Sequence, residues 1–216
     1  MTVPDLVWGA GRLTMAPATR FFTRLQDYGV DRIPLHGGAV LAINHFHWID
    51  VAAFGASCPR TIWYMAKIEA HRAPALGQLI RAFGSFAVRR GESDREAVRM
   101  AREIVRRGRV LGLFVEGTRQ QAGVPGKAQP GAAMVALQEG VPVVPGAVFG
   151  SSDWQPGNFQ PVSIAWGEPV LFEGLLRGAR GYREASDEIE RRIRTLWQFL
   201  GELHELGRPR VATPPV

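Results

Sequence analysis

The 216-residue chain holds one cysteine, two lysines and three tyrosines. A lone cysteine, Cys58, excludes an intramolecular disulfide and a thiolate metal cluster, and it reads as a small buried hydrophobe. No run of about 18 or more apolar residues occurs, so no transmembrane helix is expected. The N-terminus lacks a basic stretch followed by a clean apolar one, so no signal peptide is expected and a cytoplasmic location follows. Only Lys67 and Lys127 are lysine, which leaves 26 − 2 = 24 arginines to set the net charge of +6. That balance suits an anionic partner: phosphate groups, acidic lipid or nucleic acid. With 46% hydrophobic and 21% charged residues, the chain is expected to be ordered over most of its length and to fill one domain.

Residues 1–30 read as a helical segment of their own, 31–206 as the main domain, and 207–216, with three prolines, as a loose tail. Gly9, Gly11 and Pro17 interrupt the first segment, which predicts two short helices there. Its Leu, Phe, Trp and Arg content suits either an interfacial membrane helix or a pair capping the core. From Gly38 onward, strands and helices alternate. Strand-like runs occupy 39–43, 61–65, 85–88, 110–115, 141–149 and 162–166. Helical patterns occupy 49–57, 74–82, 93–107, 130–139 and 182–204. This alternation predicts an α/β fold: a single domain with a mostly parallel central sheet flanked by helices. The clearest helix is 93–107, with Ala97, Ala101, Ile104 and Val105 as its apolar stripe, Ser93 as its cap and Gly108 as its stop.

Chemistry-bearing residues follow three of the buried strands. His45 and Asp50 come after 39–43, and a carboxylate placed five residues on can orient an imidazole and stabilise its cation. Glu116, Gly117, Thr118 and Arg119 come after 110–115; Gly117 permits a tight turn, and the Arg119 guanidinium can grip a phosphate. Arg89 and Arg90 come after 85–88. Parallel strands would bring all three groups to one sheet edge, where such folds bind ligands.

In order and spacing, these segments resemble the four motif blocks of the glycerolipid acyltransferases, most closely the 1-acyl-sn-glycerol-3-phosphate acyltransferase type. The blocks are Asn44-His45-x4-Asp50, Gly84-x-Phe86-x-Val88-Arg89-Arg90, Phe114-x-Glu116-Gly117-Thr118-Arg119 and Val141-Pro142-x-Val144-Pro145. The similarity runs from about Gly38 to Gly167. Val115 stands where the family usually has proline, and Arg89 where an acidic residue is frequent.

The resemblance implies an O-acyltransferase of phospholipid biosynthesis. It implies His45 as general base, Asp50 as its partner, and Arg119, Arg90 and Arg89 as holders of the acceptor phosphate. Glu116 would bind the acceptor through a hydroxyl, Gly117 and Thr118 would shape the loop, and Lys127 would be a further phosphate contact. No cofactor and no metal are expected. The donor is acyl-CoA or acyl-carrier protein as co-substrate. The leading acceptor is lysophosphatidic acid, with glycerol 3-phosphate or another lysolipid as alternatives. The place of work would be the anionic inner face of the cell membrane, met peripherally. Trp48, Trp63, Phe83 and Phe86 are candidates to line an acyl tunnel, with core packing as the plainer role.

Two readings from other classes compete. His45, His47 and Asp50 have the spacing of a metal-dependent hydrolase site, although His36, His71 and His204 supply no recognisable second ligand cluster. Arg95, Arg99, Arg102 and Arg106 recur on one face of the 93–107 helix and resemble a phosphate-contacting stripe of a non-catalytic anionic-lipid or nucleic-acid binder. The interleaved Glu92, Asp94, Glu96 and Glu103 argue for a solvated face instead, so no nucleic-acid partner is expected.

Overall fold

The structure, a computed structural model, describes residues 2–88 and 95–215. Arg89, Arg90 and Ser93 lie outside the described residues.

The run Ala-Val-Leu-Ala-Ile forms strand β2 (Ala39–Ile43), and all five residues are buried. Such a run, apolar on both sides, is what a central parallel strand requires. Alternate side chains enter opposite layers. Leu41 and Ile43 join a cluster with Trp8, Phe54, Ile62 and Trp166. Val40 and Ala42 join another with Ala101, Ile104, Val135 and Ile189. Helices α1 (Val3–Phe22) and α2 (Ile49–Ser57) therefore cover one face, and α5 (Arg95–Arg106), α6 (Gly131–Glu139) and α7 (Ala179–Glu205) cover the other.

Around β2 lie β1 (Gln26–Tyr28), β3 (Ile62–Lys67), β4 (Phe86–Val88), β5 (Val110–Phe114), β6 (Val143–Phe149) and β7 (Ser163–Trp166). Their order across the sheet is β1-β7-β6-β2-β5-β3-β4. Among the described strands, β6 and β7 pair antiparallel and the other pairs are parallel. The predicted mostly parallel sheet is present, and β2, β5 and β6 run side by side, so their C-terminal ends share one edge.

Several elements differ from expectation. The N-terminal segment is one helix, α1, rather than two. Pro17 cannot donate to the Leu13 carbonyl, but Leu13 is 83% exposed, and water can satisfy an oxygen on that outer face. Inward, Trp8 is buried, donates its indole N–H to the Phe83 carbonyl at 2.9 Å and packs edge-on against the Phe83 ring. The helix predicted over 74–82 is present as α4 (Leu76–Ala82), and a short helix before it, α3 (Ile68–Arg72), went unread; Ala75, with a positive φ of 59°, separates the two. Strand β1 and the 3-10 turn Val30–Arg32 went unread: three residues are too few to show a period.

The tail after Gly207, expected to be loose, is tied back. Arg32 donates to the carbonyls of Trp166, Pro214 and Pro215, and the Tyr28 hydroxyl donates to the Pro209 carbonyl at 2.9 Å. The prolines lack N–H donors but keep their carbonyl oxygens, and buried donors elsewhere use them.

The stripe predicted for α5 is the buried one: Ala97, Ala101, Ile104 and Val105. Of the arginines on its other side, Arg102 and Arg106 both pair with Glu139 of α6. These two are structural ties between helices, which removes half of the proposed phosphate-contacting stripe. Cys58 is buried as expected, and desolvation pushes its thiol up to about 11.

The packing of β6 against β7 gives a stability test. A Cβ on Gly146 would lie 2.6 Å from the Trp166 ring, and that ring is fully buried. Gly146→Ala should cost about 1–3 kcal/mol, read as a lower urea midpoint; an unchanged midpoint would mean that Trp166 has room to shift.

Candidate active site

Strand β2 ends at Ile43, and the chain turns across the sheet edge before α2 begins. Asn44 secures the turn. Its side-chain amide donates to the Val148 carbonyl at 3.0 Å, and its side-chain oxygen accepts from the Val148 N–H at 2.8 Å. The side chain thus continues the ladder to β6 after the β2 backbone has left it. His45 follows, its ring stacked on Phe114 at 4.0 Å between centroids and 21° between planes.

Asp50 lies in the first turn of α2 and is 1% exposed. Its Oδ2 is 2.9 Å from His45 Nδ1 and accepts the backbone N–H groups of Phe46 and His47, each at 2.7 Å. Its place at a helix N-terminus and its two amide donors both complement negative charge. With Nδ1–H donating to Asp50, the neutral His45 presents Nε2 as its basic nitrogen. The arrangement can take a proton at Nε2 and stabilise the resulting cation from the Asp50 side.

His45 and Asp50 are therefore in contact, as their spacing predicts. His47 is not part of that contact: it packs against Trp48 and Trp154, and burial lowers its pKa, which favours the neutral ring. Among the described residues, no group of three or more His, Cys, Asp or Glu side chains is arranged to hold a metal ion.

Strand β5 ends beside β2, and its C-terminal turn carries the third block. Gly117 has a φ of +72°, a conformation that a β-carbon would strain. The Gln120 N–H donates to the His45 carbonyl at 2.8 Å, which holds the neighbouring Arg119 close to the histidine turn. Arg119 and Thr118 are exposed, and Arg119 makes no hydrogen bond or ion pair among the described residues. Its charge reaches His47. Lys127 is also exposed, further along the same loop.

Glu116 is 5% exposed, and both of its oxygens face backbone donors. Its Oε2 accepts the His45 backbone N–H at 2.8 Å, and its Oε1 accepts the Gly126 N–H at 2.7 Å. Desolvation raises its pKa to about 7 against the pull of those two N–H groups; the nearby charge of Asp50 raises it further, and that of Arg194 lowers it.

Of the tunnel candidates, only Trp48 is at this edge, where it meets Trp154 edge-on. Phe83 packs on Trp8, and Phe86 is in the core. Trp63 lies under the Arg109 guanidinium in a cleft of about 270 Å³ with Arg60 and Gly108, at the opposite, N-terminal edge of the strands. Phe114, Asn44 and Gly126 were not singled out for the parts they play here. Stacking, ladder repair and backbone donation leave no residue-type signature.

The family model described as Acyltransferase matches residues 24–148. The chain belongs to the acyltransferase family. A 1-acyl-sn-glycerol-3-phosphate acyltransferase of Bacillus subtilis (strain 168) is 31% identical over 129 residues, 59% of this chain and 64% of that protein. The chloroplastic 1-acyl-sn-glycerol-3-phosphate acyltransferase LPAT1 of Arabidopsis thaliana is 25% identical over 162 residues, 74% of this chain and 45% of that protein. These matches span less than two thirds of the relatives' own lengths. The crystal structure of the 1-acyl-sn-glycerophosphate (LPA) acyltransferase PlsC from Thermotoga maritima shares the fold. It has a TM-score of 0.67 at 22% identity, with 94% of this chain and 84% of that one covered. The matched family region contains β2 and β5 with the turns that follow them, so the His45–Asp50 contact and the Glu116–Arg119 turn both lie within it.

Glu116 gives a pH test with a defined sign. Its folded pKa of about 7 exceeds the ordinary 4.5, so the native state binds the proton more tightly. The stability this contributes is fully present below about 4.5 and is lost as pH rises through about 7. The difference in Tm between Glu116→Gln and the unmodified protein should therefore move in favour of the variant across that range. A difference independent of pH would show that the carboxyl titrates as an ordinary one.

Proposed function

We propose that the protein transfers a fatty acyl group from a thioester, acyl-CoA or acyl-carrier protein, to the free hydroxyl of 1-acyl-sn-glycerol 3-phosphate, giving phosphatidic acid. The single observation that carries this reading is the 2.9 Å contact between His45 Nδ1 and Asp50, in a turn bonded to the loop that bears Arg119, which has no partner among the described residues. The names of the relatives support the choice of acceptor.

In this reading the acceptor hydroxyl gives its proton to His45 Nε2 as its oxygen attacks the thioester carbonyl carbon. Such positioned proton transfer is worth about 10²–10⁴ in rate. The tetrahedral intermediate collapses by breaking the C–S bond. The departing thiolate takes the proton from the imidazolium, which restores neutral His45. An ester and a free thiol result, and no acyl-enzyme forms. Asp50 orients His45 and stabilises its cation, with the Phe114 face as a second, weaker source of stabilisation. Arg119 holds the acceptor phosphate, joined by Arg90 and Arg89 and by Lys127. Thr118 and Gly117 shape the turn.

A lipid acceptor places the work at a membrane surface, and we assign that contact to the inner face of the cell membrane. Among the described residues no helix is long and apolar enough to cross a membrane. The exposed Leu6, Leu13 and Phe21 lie along one side of α1 and supply an apolar strip for peripheral contact, and the Phe21 and Phe22 rings pack with Phe159 beside them. The positive net charge favours anionic lipid.

The test is a panel of acceptors (lysophosphatidic acid, glycerol 3-phosphate, other lysolipids) against both donor types, with products identified by mass spectrometry. Phosphatidic acid should form with chelator present, His45→Ala should remove nearly all of it in a folded protein, and Arg119→Ala should mainly raise the acceptor KM. Substantial turnover by the alanine variant at His45 would overturn the general-base role, and a change confined to the donor KM would overturn the phosphate role of Arg119.

A further inference from the structure

The parallel register of β2 and β5 pairs Ile43 with Phe114, and the Val115 N–H donates to the Ile43 carbonyl at 3.0 Å. The next bond of such a ladder would run from the His45 N–H to the Val115 carbonyl. That bond is not made: the Val115 carbonyl accepts the Gln129 N–H at 2.8 Å. The His45 N–H goes to a side chain instead, Glu116 Oε2. The other Glu116 oxygen takes the Gly126 N–H, 10 residues further along. Gly126 is also tightly placed, since a Cβ there would lie 2.6 Å from Gln120 Oε1. Ala128, two residues on, donates its N–H to Glu190 of α7 at 3.0 Å.

One buried carboxylate thus joins the turn that carries the proton acceptor to the loop that carries Arg119 and Lys127. Both of its oxygens are engaged by backbone, which leaves it no approach to a substrate. We propose that Glu116 is a positioning residue for acyl transfer: it tethers the His45 backbone to Gly126 and so sets His45 Nε2 against the phosphate-holding loop, without touching the acceptor. The proposal rests on the acyltransferase reading above for its kinetic consequence, though not for the tether itself.

Replacement by glutamine separates this role from acceptor binding. Glutamine offers one acceptor oxygen and one NH2 group, so one of the two backbone donors would face another donor. In Glu116→Gln, kcat at saturating acceptor should fall about 10²-fold, the order of loss expected from a small displacement of a catalytic group. The acceptor KM should stay close to its original value. A raised acceptor KM with kcat retained would overturn the proposal and return Glu116 to the acceptor, and unchanged kcat and KM would also overturn it.

A readout without substrate keeps a failure of the function distinct from a failure of the tether. The His45 ring resonance, assigned by its loss in His45→Ala, should shift in Glu116→Gln while that of His204, held by Ser163 on β7, stays in place. A His45 resonance that does not move would overturn the tether even if the acyltransferase assay succeeds. Should the glutamine variant not fold, the unmodified protein gives the same reading. The His45 and Gly126 amide signals should move together as Glu116 titrates, and movement of only one would contradict the tether.

Discussion

A single buried oxygen, Asp50 Oδ2, gathers three donors: the His45 ring and the backbone N–H groups of Phe46 and His47. The turn between β2 and α2 closes around it. Burying a carboxylate is costly unless it is well bonded, and here the bonds that stabilise the charge also shape the turn. The helix start, the path of residues 44–49 and the tautomer of His45 therefore depend on one another. In the proposed reaction the same charge faces the imidazolium when it forms, so the feature that folds the turn also serves the chemistry.

The sheet edge is assembled by side chains that stand in for backbone. Asn44 bonds both polar groups of Val148 after β2 has left β6, and Glu116 receives the His45 N–H after the β2–β5 ladder ends. Leaving the ladder early frees the His45 side chain to face the sheet edge, and each departure frees N–H and C=O groups that must find partners. Asn44 and Glu116 supply them. The cost falls on Glu116, whose carboxyl is raised to about 7 by the same burial that lets it reach both loops.

Much of this was legible in the sequence where a pattern is local. Val40, Leu41 and Ile43 announced a buried strand, and the stripe Ala97, Ala101, Ile104 and Val105 announced the inner face of α5. His45 and Asp50 were readable because the motif compresses their contact into five residues of one turn. Glu116 was found by its motif, but its burial against two backbone donors was not: spacing cannot say whether a carboxylate at a strand end points to solvent or folds back onto a neighbouring turn. The one-helix form of α1 was hidden because Pro17 breaks a pattern without breaking a helix whose outer face meets water. Arg102 and Arg106 looked available because their partner, Glu139, comes from another helix.

The central claim is that Asp50 acts on His45 through its charge as well as its geometry. Asp50→Asn tests it directly, because all three donors converge on one oxygen and an amide oxygen can occupy that place while the charge is lost. Steady-state turnover of acyl thioester and lysophosphatidic acid should then show kcat lower by about 10²-fold or more, in a protein whose fold and His45 ring position are retained. An unchanged kcat in that folded variant would contradict the account.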